Sequence, residues 1–103
     1  MTERAPRVYR VYVVELDDAA GPRLNPDLPC VYVGQTADSP EERFDEHLRG
    51  HRASRHVRKH GVRLRPDLYQ TLPLQATREQ AEVLEARVAD ELRRRGFTVF
   101  GGH

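Results

Sequence analysis

Two strand-like runs follow one another at the start of this chain, with no helical segment between them. Residues 8–16 and 30–34 are rich in valine, tyrosine and other residues that favour strands. The connecting residues 17–29 include three prolines, a glycine and an asparagine, which break regular structure. This loop lets the two strands pair antiparallel. Since strands and helices do not alternate as βαβ units, the pattern favours an α+β fold.

Three helices are predicted downstream, and two of them begin with a capping box. The first begins at Ser39, with a proline next and a glutamate three positions later, and extends to about residue 49. The longest begins at Thr77, with a glutamine three positions later, and extends to about residue 95. A short helix over residues 54–60 lies between them. A glycine follows each of the three helices, as is typical of helix ends.

The remaining apolar segments complete the predicted architecture. Residues 68–72 are predicted to form a third strand, with Pro66 just ahead of them. Residues 97–100 are either a short strand or an extended tail packed on the core. We therefore expect a small three-stranded antiparallel sheet flanked by helices, in the order β-β-α-α-β-α. It should form one domain over residues 1–103, with its core at about residues 8–100.

Composition excludes several classes of protein. The chain is 38% hydrophobic and 32% charged, which is typical of a soluble globular domain. No apolar run approaches the ~20 residues that span a bilayer, and the first residues lack the apolar stretch of a signal peptide. We therefore expect no membrane association and a cytoplasmic location. Because Cys30 is the single cysteine, an internal disulfide is impossible and a zinc site built on thiolates is not expected. We expect Cys30 to be a small residue of the core.

Charge is unevenly distributed along the chain although the net charge is only +1. No acidic residue occurs between His47 and Arg65, and this stretch contains seven arginines or lysines with several histidines among them. Such a segregated basic segment is typical of a surface that binds a polyanion. A merely solvated arginine-rich face explains the charge pattern equally well, so both interpretations stay open at this point.

One carboxylate of the last helix falls on the side that should face the core. At 100° per residue, an apolar stripe runs along this helix, and Glu85 falls inside it. A buried carboxylate must be partnered, neutralised or bound to a metal ion, because leaving it ionised and unpaired is costly. The stripe comprises Ala81, Leu84, Val88, Ala89 and Leu92. An ion pair with an arginine and a functional role are both compatible with this position.

The first helix places a cation and a histidine beside its apolar seam. Arg43 and His47 are four residues apart and therefore share a helix face, next to Phe44 and Leu48. Together they could hold a phosphate. Alternatively, the arginine extends its head group to solvent and the histidine is half-exposed. On the two strands, Tyr12 and Tyr32 are compatible with ordinary packing in a small sheet.

The order of these features resembles the GIY-YIG nuclease superfamily over about residues 8–100. Arg10-Val11-Tyr12 and Tyr32-Val33-Gly34 resemble the two strand motifs that name the family. Arg43 and His47 match the arginine and histidine of the family's first helix, and Lys59-His60-Gly61 resembles the end of its next helix. Glu85, four residues after Ala81, matches its catalytic glutamate. Tyr9 is a rival to Tyr12, but an offset of three places it on the opposite sheet face.

The resemblance implies metal-dependent endonuclease activity, in which phosphodiesters of nucleic acid are hydrolysed with one Mg²⁺ or Mn²⁺ ion. Glu85 would hold the ion, Arg43 would bind a phosphate oxygen, either tyrosine would activate water, and His47 would support it or accept a proton. The partner would be nucleic acid, with DNA as the expected form. Its phosphates would contact the basic segment, at Arg49, Arg52, Arg55, Arg58 and Lys59.

Two alternatives remain open. The first is a catalytically degenerate protein of the same fold that binds nucleic acid without cutting it. Arg10, which stands where the family's first motif has glycine, and the lack of an asparagine near the end of the chain favour it. The second is a protein-interaction module that uses the basic face. Salt dependence separates these two, because binding to duplex DNA weakens steeply with salt concentration.

Overall fold

The fold is a four-stranded mixed sheet with three α-helices. The computed structural model describes residues 7–102. Two 3-10 turns, Asp18–Ala20 and Pro66–Leu68, interrupt the loops. In chain order the elements are β1 (Arg10–Leu16), β2 (Cys30–Thr36), α1 (Pro40–Arg49), α2 (Arg55–His60), β3 (Gly61–Leu64), α3 (Arg78–Arg94) and β4 (Thr98–Gly101). Across the sheet the strand order is β3-β1-β2-β4.

The central pair of strands, β1 and β2, is antiparallel, as the direct connection between them predicts. Their register places Tyr12 opposite Gly34 and Val14 opposite Tyr32. Residues that face each other across an antiparallel pair point to the same side of the sheet. The strand β1 is buried on both faces, because the residues from Val11 to Val14 are all inaccessible to solvent. The sequence-based prediction of the first two strands is confirmed.

The third strand lies in a different place from the one predicted. The strand β3 is formed by Gly61–Leu64, immediately after α2, and pairs antiparallel with β1 through an irregular register at Glu15 and Leu16. The predicted strand over residues 68–72 is wrong, because Pro66 begins a 3-10 turn and tight turns follow it. Tyr69 is nevertheless buried there. Because a residue in a turn can also be buried in the core, the segment has the apolar composition of a strand without forming one.

The sheet is mixed rather than three-stranded and antiparallel. Residues 98–101 form β4, which pairs parallel with β2, so the strand alternative for the last apolar segment is confirmed. A parallel pair needs a long crossover connection, and here α1, α2, β3 and α3 all lie between the two strands in sequence. The prediction of a three-stranded antiparallel sheet missed this pairing because the periodicity of a short run does not reveal its partner.

The helix predictions are confirmed at their starts and on the buried face of α3. The Ser39 hydroxyl accepts a hydrogen bond from the backbone N–H of Glu42, and the Thr77 hydroxyl accepts one from that of Gln80, each at 3.1 Å. The buried residues of α3 are Ala81, Glu85, Val88, Ala89 and Leu92. In residues 7–102, none of the helices combines the length and apolar character needed to cross a bilayer.

Candidate active site

Three rings from two strands and a helix meet beside the sheet. The centroids of Tyr12 and Tyr32 are 6.4 Å apart, and the imidazole of His47 lies 6.1 Å from the first and 5.7 Å from the second. Tyr12 and His47 are each only 1% exposed, whereas Tyr32 is half-buried. The structure therefore brings together three residues that are separated in sequence but were expected to share one site.

Gly34 makes room for the two phenols. It lies directly opposite Tyr12 in the sheet, and a Cβ atom at this position would lie 2.6 Å from the Tyr12 hydroxyl and 2.9 Å from the Tyr32 ring. Any side chain at this position would therefore displace one of the two tyrosines. The resemblance included this glycine as part of a motif, but its steric role depends on contacts that only the fold creates.

The tautomer of His47 is fixed by its two hydrogen bonds. The backbone N–H of Ser54 donates to Nδ1 at 2.9 Å, so this nitrogen must be the acceptor. In the neutral ring the proton is then on Nε2, which donates to the Tyr12 hydroxyl oxygen at 2.7 Å. Burial, followed by the nearby charge of Arg43, lowers the pKa of His47 to about 4. With both nitrogens engaged, the neutral ring leaves no nitrogen for the phosphate contact considered from the sequence.

The two phenols are held in their protonated form by burial. For Tyr12, burial and the neighbouring Tyr32 raise the pKa well above its ordinary value, while Arg43 opposes this change. For Tyr32, burial and Glu85 raise the pKa, and Arg43 again opposes them. Glu85 also contributes to the raised pKa of Tyr12. Both phenols therefore lie within electrostatic range of Glu85 and of Arg43.

Arg43 is held in place by the loop that follows its helix. Its guanidinium donates to the backbone carbonyls of His51 at 3.2 Å and of Arg52 at 2.7 Å, and it lies 3.6 Å from the Glu46 carboxylate. Two carbonyls thus fix the plane of the group. The side chain of Arg43 is only 19% exposed. It therefore does not extend freely into solvent, which was the alternative considered from the sequence.

Glu85 is buried, and nothing in the described part of the chain pairs with it. It is 6% exposed on α3, as the helical periodicity predicted. Within residues 7–102 no hydrogen bond or salt bridge joins its carboxylate to another side chain, so the structure gives no support to the ion-pair alternative. Burial, and then the neighbouring charge of Glu82, raises the pKa of Glu85 to about 7. Within the described residues, the carboxylate therefore lacks a partner for its negative charge.

The carboxylate chemistry here fits one type of metal site. No group of three or more histidine, cysteine, aspartate or glutamate residues that could enclose an ion occurs in residues 7–102. Magnesium retains several waters and commonly binds through one or two carboxylates together with substrate phosphates. A buried, unpaired Glu85 fits that open arrangement, in which water and substrate oxygens supply the other ligands. It does not fit a closed site built of protein ligands alone.

Some cations of the basic segment are neutralised by ion pairs with acidic residues, and others are not. Arg63 and Arg65 form ion pairs with Glu15, and Arg49 forms one with Asp45 at 3.0 Å. In contrast, Arg55, Arg58 and Lys59 are exposed on α2. These three make no salt bridge with any residue from 7 to 102. Arg52, in the loop after α1, is also exposed and makes no salt bridge within the described residues. The positive surface that nucleic acid could contact is therefore narrower than the sequence suggested, and it comprises Arg52 and these three residues of α2.

Comparisons of the chain with models of protein families, with curated proteins and with solved structures gave no significant match.

Proposed function

We propose that this chain is a GIY-YIG-type endonuclease domain that hydrolyses phosphodiester bonds of nucleic acid with one divalent metal ion. The observation that carries the proposal is Glu85, a buried carboxylate that makes no hydrogen bond or salt bridge within residues 7–102 and acts electrostatically on the same two phenols as Arg43 does. An inward-facing acid of this kind destabilises the fold unless it binds something. The arrangement meets the chemical needs of phosphodiester hydrolysis with residues from two strands and two helices.

Arg43 would bind a non-bridging oxygen of the scissile phosphate. A guanidinium offers up to five N–H donors, and two backbone carbonyls already fix its orientation. Donors that are oriented before the reaction stabilise charge as it develops, with little reorganisation of the site. Its positive charge also favours the deprotonated form of both neighbouring phenols.

Tyr12 would orient the attacking water. To take the proton of that water, Tyr12 must first release its own hydroxyl proton to solvent and act as the phenolate, which the nearby charge of Arg43 favours. His47 donates to the Tyr12 oxygen, so the proton of the Tyr12 hydroxyl is directed away from the imidazole. A hydrogen bond received by the oxygen favours the phenolate. His47 thus supports Tyr12 by holding it and donating to it, and the alternative role of proton acceptor does not fit its tautomer. Tyr32, which is half-buried, would help to position the water.

Glu85 would hold one Mg²⁺ or Mn²⁺ ion, with water and substrate oxygens as the other ligands. When bound, the ion supplies positive charge that stabilises the phosphate and the leaving oxygen. The protein's own contribution is to keep the carboxylate in position on a rigid helix. Glu85 lies in the middle of the seventeen-residue helix α3, where the backbone is fixed on both sides.

The nucleic-acid partner would contact the exposed cations of α2. Arg55, Arg58 and Lys59 lie on a short helix directly after the loop that holds Arg43. Contacts between cations and phosphates supply affinity but little sequence preference. We therefore propose a nuclease that recognises the backbone or the shape of its substrate, with DNA as the expected form.

The test is nicking of a supercoiled plasmid with Mg²⁺ or Mn²⁺. The substitution Glu85→Gln should abolish nicking, whereas Glu82→Gln, which changes an exposed carboxylate on the same helix, should leave most of it. Circular dichroism spectra should show that both variants are folded. If the wild-type protein cuts no form of DNA or RNA with either ion, the enzyme assignment is wrong. Salt-sensitive binding without cutting would then indicate the non-catalytic binder.

A further inference from the structure

A polar pocket of about 220 Å³ adjoins the candidate active site and shares Arg43 with it. It lies between the residues before β1, the loop from β2 to α1, the loop after α1, and the first turn of α3. Three further arginines line it, namely Arg7, Arg52 and Arg78. These residues come from three separate segments of the chain, so no single sequence motif indicated the pocket.

The pocket has an excess of positive charge. Four arginines line it, against the two acids Asp38 and Glu46, and Glu46 is already paired with Arg43. Among residues 7–102, the guanidinium groups of Arg7, Arg52 and Arg78 make no hydrogen bond and no salt bridge. Guanidinium groups are well suited to binding phosphate oxygens in pairs. The pocket therefore has the charge and the donors of an anion site.

Arg52 adopts a backbone conformation that is unfavourable for any residue with a side chain. Its φ angle is +46°, and it is the one non-glycine residue with a positive φ among residues 7–102. This conformation accompanies the 2.7 Å hydrogen bond that its carbonyl receives from Arg43. Strained residues of this kind concentrate at functional sites. One residue thus both anchors the arginine of the candidate active site and lines the neighbouring pocket.

Arg78 occupies a position that helix stability does not favour. It is the first residue of α3, where the helix dipole presents its positive end. A cation there is unfavourable, and acidic residues are the usual occupants. An anionic ligand bound in the pocket would offset this unfavourable position of Arg78.

We propose that this pocket binds the phosphate next to the scissile one on the same nucleic-acid strand, through Arg7, Arg52 and Arg78. The inference rests on the proposed function, because it assigns Arg43 to the scissile phosphate. A strand whose scissile phosphate lies on Arg43 then directs an adjacent phosphate into the pocket that Arg43 also lines. The site therefore recognises a segment of backbone and not an isolated phosphodiester.

The experiment measures binding without cutting. The full chain carrying Glu85→Gln is titrated in EDTA against a short labelled DNA duplex at several KCl concentrations. In that background Arg52→Ala/Arg78→Ala should lower the slope of log K against log[KCl] by about 0.9, the value for one lost phosphate contact. The charge-matched control Arg87→Ala/Arg94→Ala lies on α3 outside the pocket and should leave the slope unchanged.

A second measurement identifies the phosphate. Phosphates of the duplex are replaced one at a time by neutral methylphosphonate. We expect one position to weaken binding by about tenfold in the parent protein and by less than twofold in the pocket variant, as coupled partners do in a double-mutant cycle. If Arg52→Ala/Arg78→Ala does not fold, Arg7→Ala/Arg78→Ala replaces it, because that pair leaves the backbone at residue 52 unchanged.

The outcomes separate this inference from the proposed function. A phosphate position that couples to the pocket arginines and lies next to the mapped cleavage position supports the inference. If a position couples but the wild-type protein does not cut, the pocket binds a phosphate, and its assignment beside a scissile phosphate is wrong. If cutting is observed but no position couples, or if the slope changes as in the control, the pocket is not a phosphate site. If the protein binds no duplex at any salt concentration, the pocket is not a phosphate site, and the nicking assay alone decides the proposed function.

Discussion

The Nε2 atom of His47 lies 2.7 Å from the Tyr12 hydroxyl oxygen, and the backbone N–H of Ser54 determines which of the two donates. Because an amide N–H only donates, Nδ1 accepts and Nε2 carries the proton. The imidazole therefore holds Tyr12 as a hydrogen-bond donor and leaves the phenol's own proton directed elsewhere. This relationship makes His47 a positioning residue in the proposed reaction.

The first prediction concerns the stability of the fold in acid. The pKa of His47 is about 4 in the folded chain, below the value of about 6.5 in an unfolded one. The unfolded state therefore binds more protons in this range, and the contribution of His47 to stability, about 3 kcal/mol, is lost as pH falls from about 6.5 to 4. Urea unfolding of His47→Gln should show a pH dependence smaller by that amount. Equal pH dependence in the two proteins would contradict the assigned environment.

A second prediction is that Glu85→Gln stabilises the metal-free protein at alkaline pH. Its pKa is raised to about 7, so the folded state binds more protons than the unfolded state between about 4.5 and 7. As pH rises through that window and Glu85 loses its proton, the folded state is destabilised relative to the unfolded state. In EDTA at pH 8, Glu85→Gln should therefore raise the free energy of unfolding by up to about 3 kcal/mol. Exposed Glu82→Gln should produce a smaller gain, and a marked loss of Tm in Glu85→Gln would indicate a structural ion pair.

Gly34→Ala should destabilise the fold and displace the tyrosines. The added Cβ would lie 2.6 Å from the Tyr12 hydroxyl, closer than any real contact of that type. Overpacking of this kind costs about 1–3 kcal/mol, which urea unfolding would measure. Gly21→Ala is the matched control, because its Cβ would meet Phe100 at 3.2 Å and requires only a small adjustment. Equal stability of the two variants would show that the tyrosines can move aside at no cost.

Arg43→Lys should impair cutting although it retains the charge. Lysine cannot donate to the carbonyls of both His51 and Arg52 while also facing a phosphate, because its ammonium is a single point of charge. We expect kcat to fall by about 10²-fold in plasmid nicking, a loss typical of a misplaced transition-state donor. The control Arg49→Lys changes an exposed arginine of the same helix and should retain activity. Full activity of Arg43→Lys would remove this arginine from the proposed mechanism.

Tyr12→Phe should separate water activation from packing. Removing the hydroxyl leaves the buried Nε2–H of His47 without an acceptor, which costs about 1–3 kcal/mol of stability. If Tyr12 takes the proton of the water, nicking should fall by about 10²-fold or more, and Tyr32→Phe should lose less. The opposite order of the two variants in single-turnover rates would assign the base to Tyr32.

Much of the local structure could be predicted from residues close together in sequence. The N-caps at Ser39 and Thr77 could be predicted because each cap and the N–H that it accepts from are three positions apart. The inward position of Glu85 followed from helical periodicity alone. The strands β1 and β2 were predicted because their β-branched residues favour an extended backbone.

The remaining features depend on contacts between distant segments. Strand β3 was misplaced because residues 68–72 are apolar for burial in a turn, and only pairing with β1 decides which segment is the strand. The parallel pairing of β4 with β2 is likewise a choice of partner that a short run does not encode. The fold class was therefore correct, but the number and direction of the strands were not.

The sequence by itself determined which residue types this chain brings to a site: two phenols, a guanidinium, an imidazole and one inward carboxylate. Tertiary structure alone decided how they are arranged. The tautomer of His47 depends on the backbone N–H of Ser54, and the other ring nitrogen donates to Tyr12, 35 residues away in sequence. The polar pocket joins Arg7, Arg52 and Arg78 from separate segments. The physical reason is that periodicity and capping act within a few residues, whereas hydrogen-bond direction, burial and pKa depend on atoms that only folding brings together.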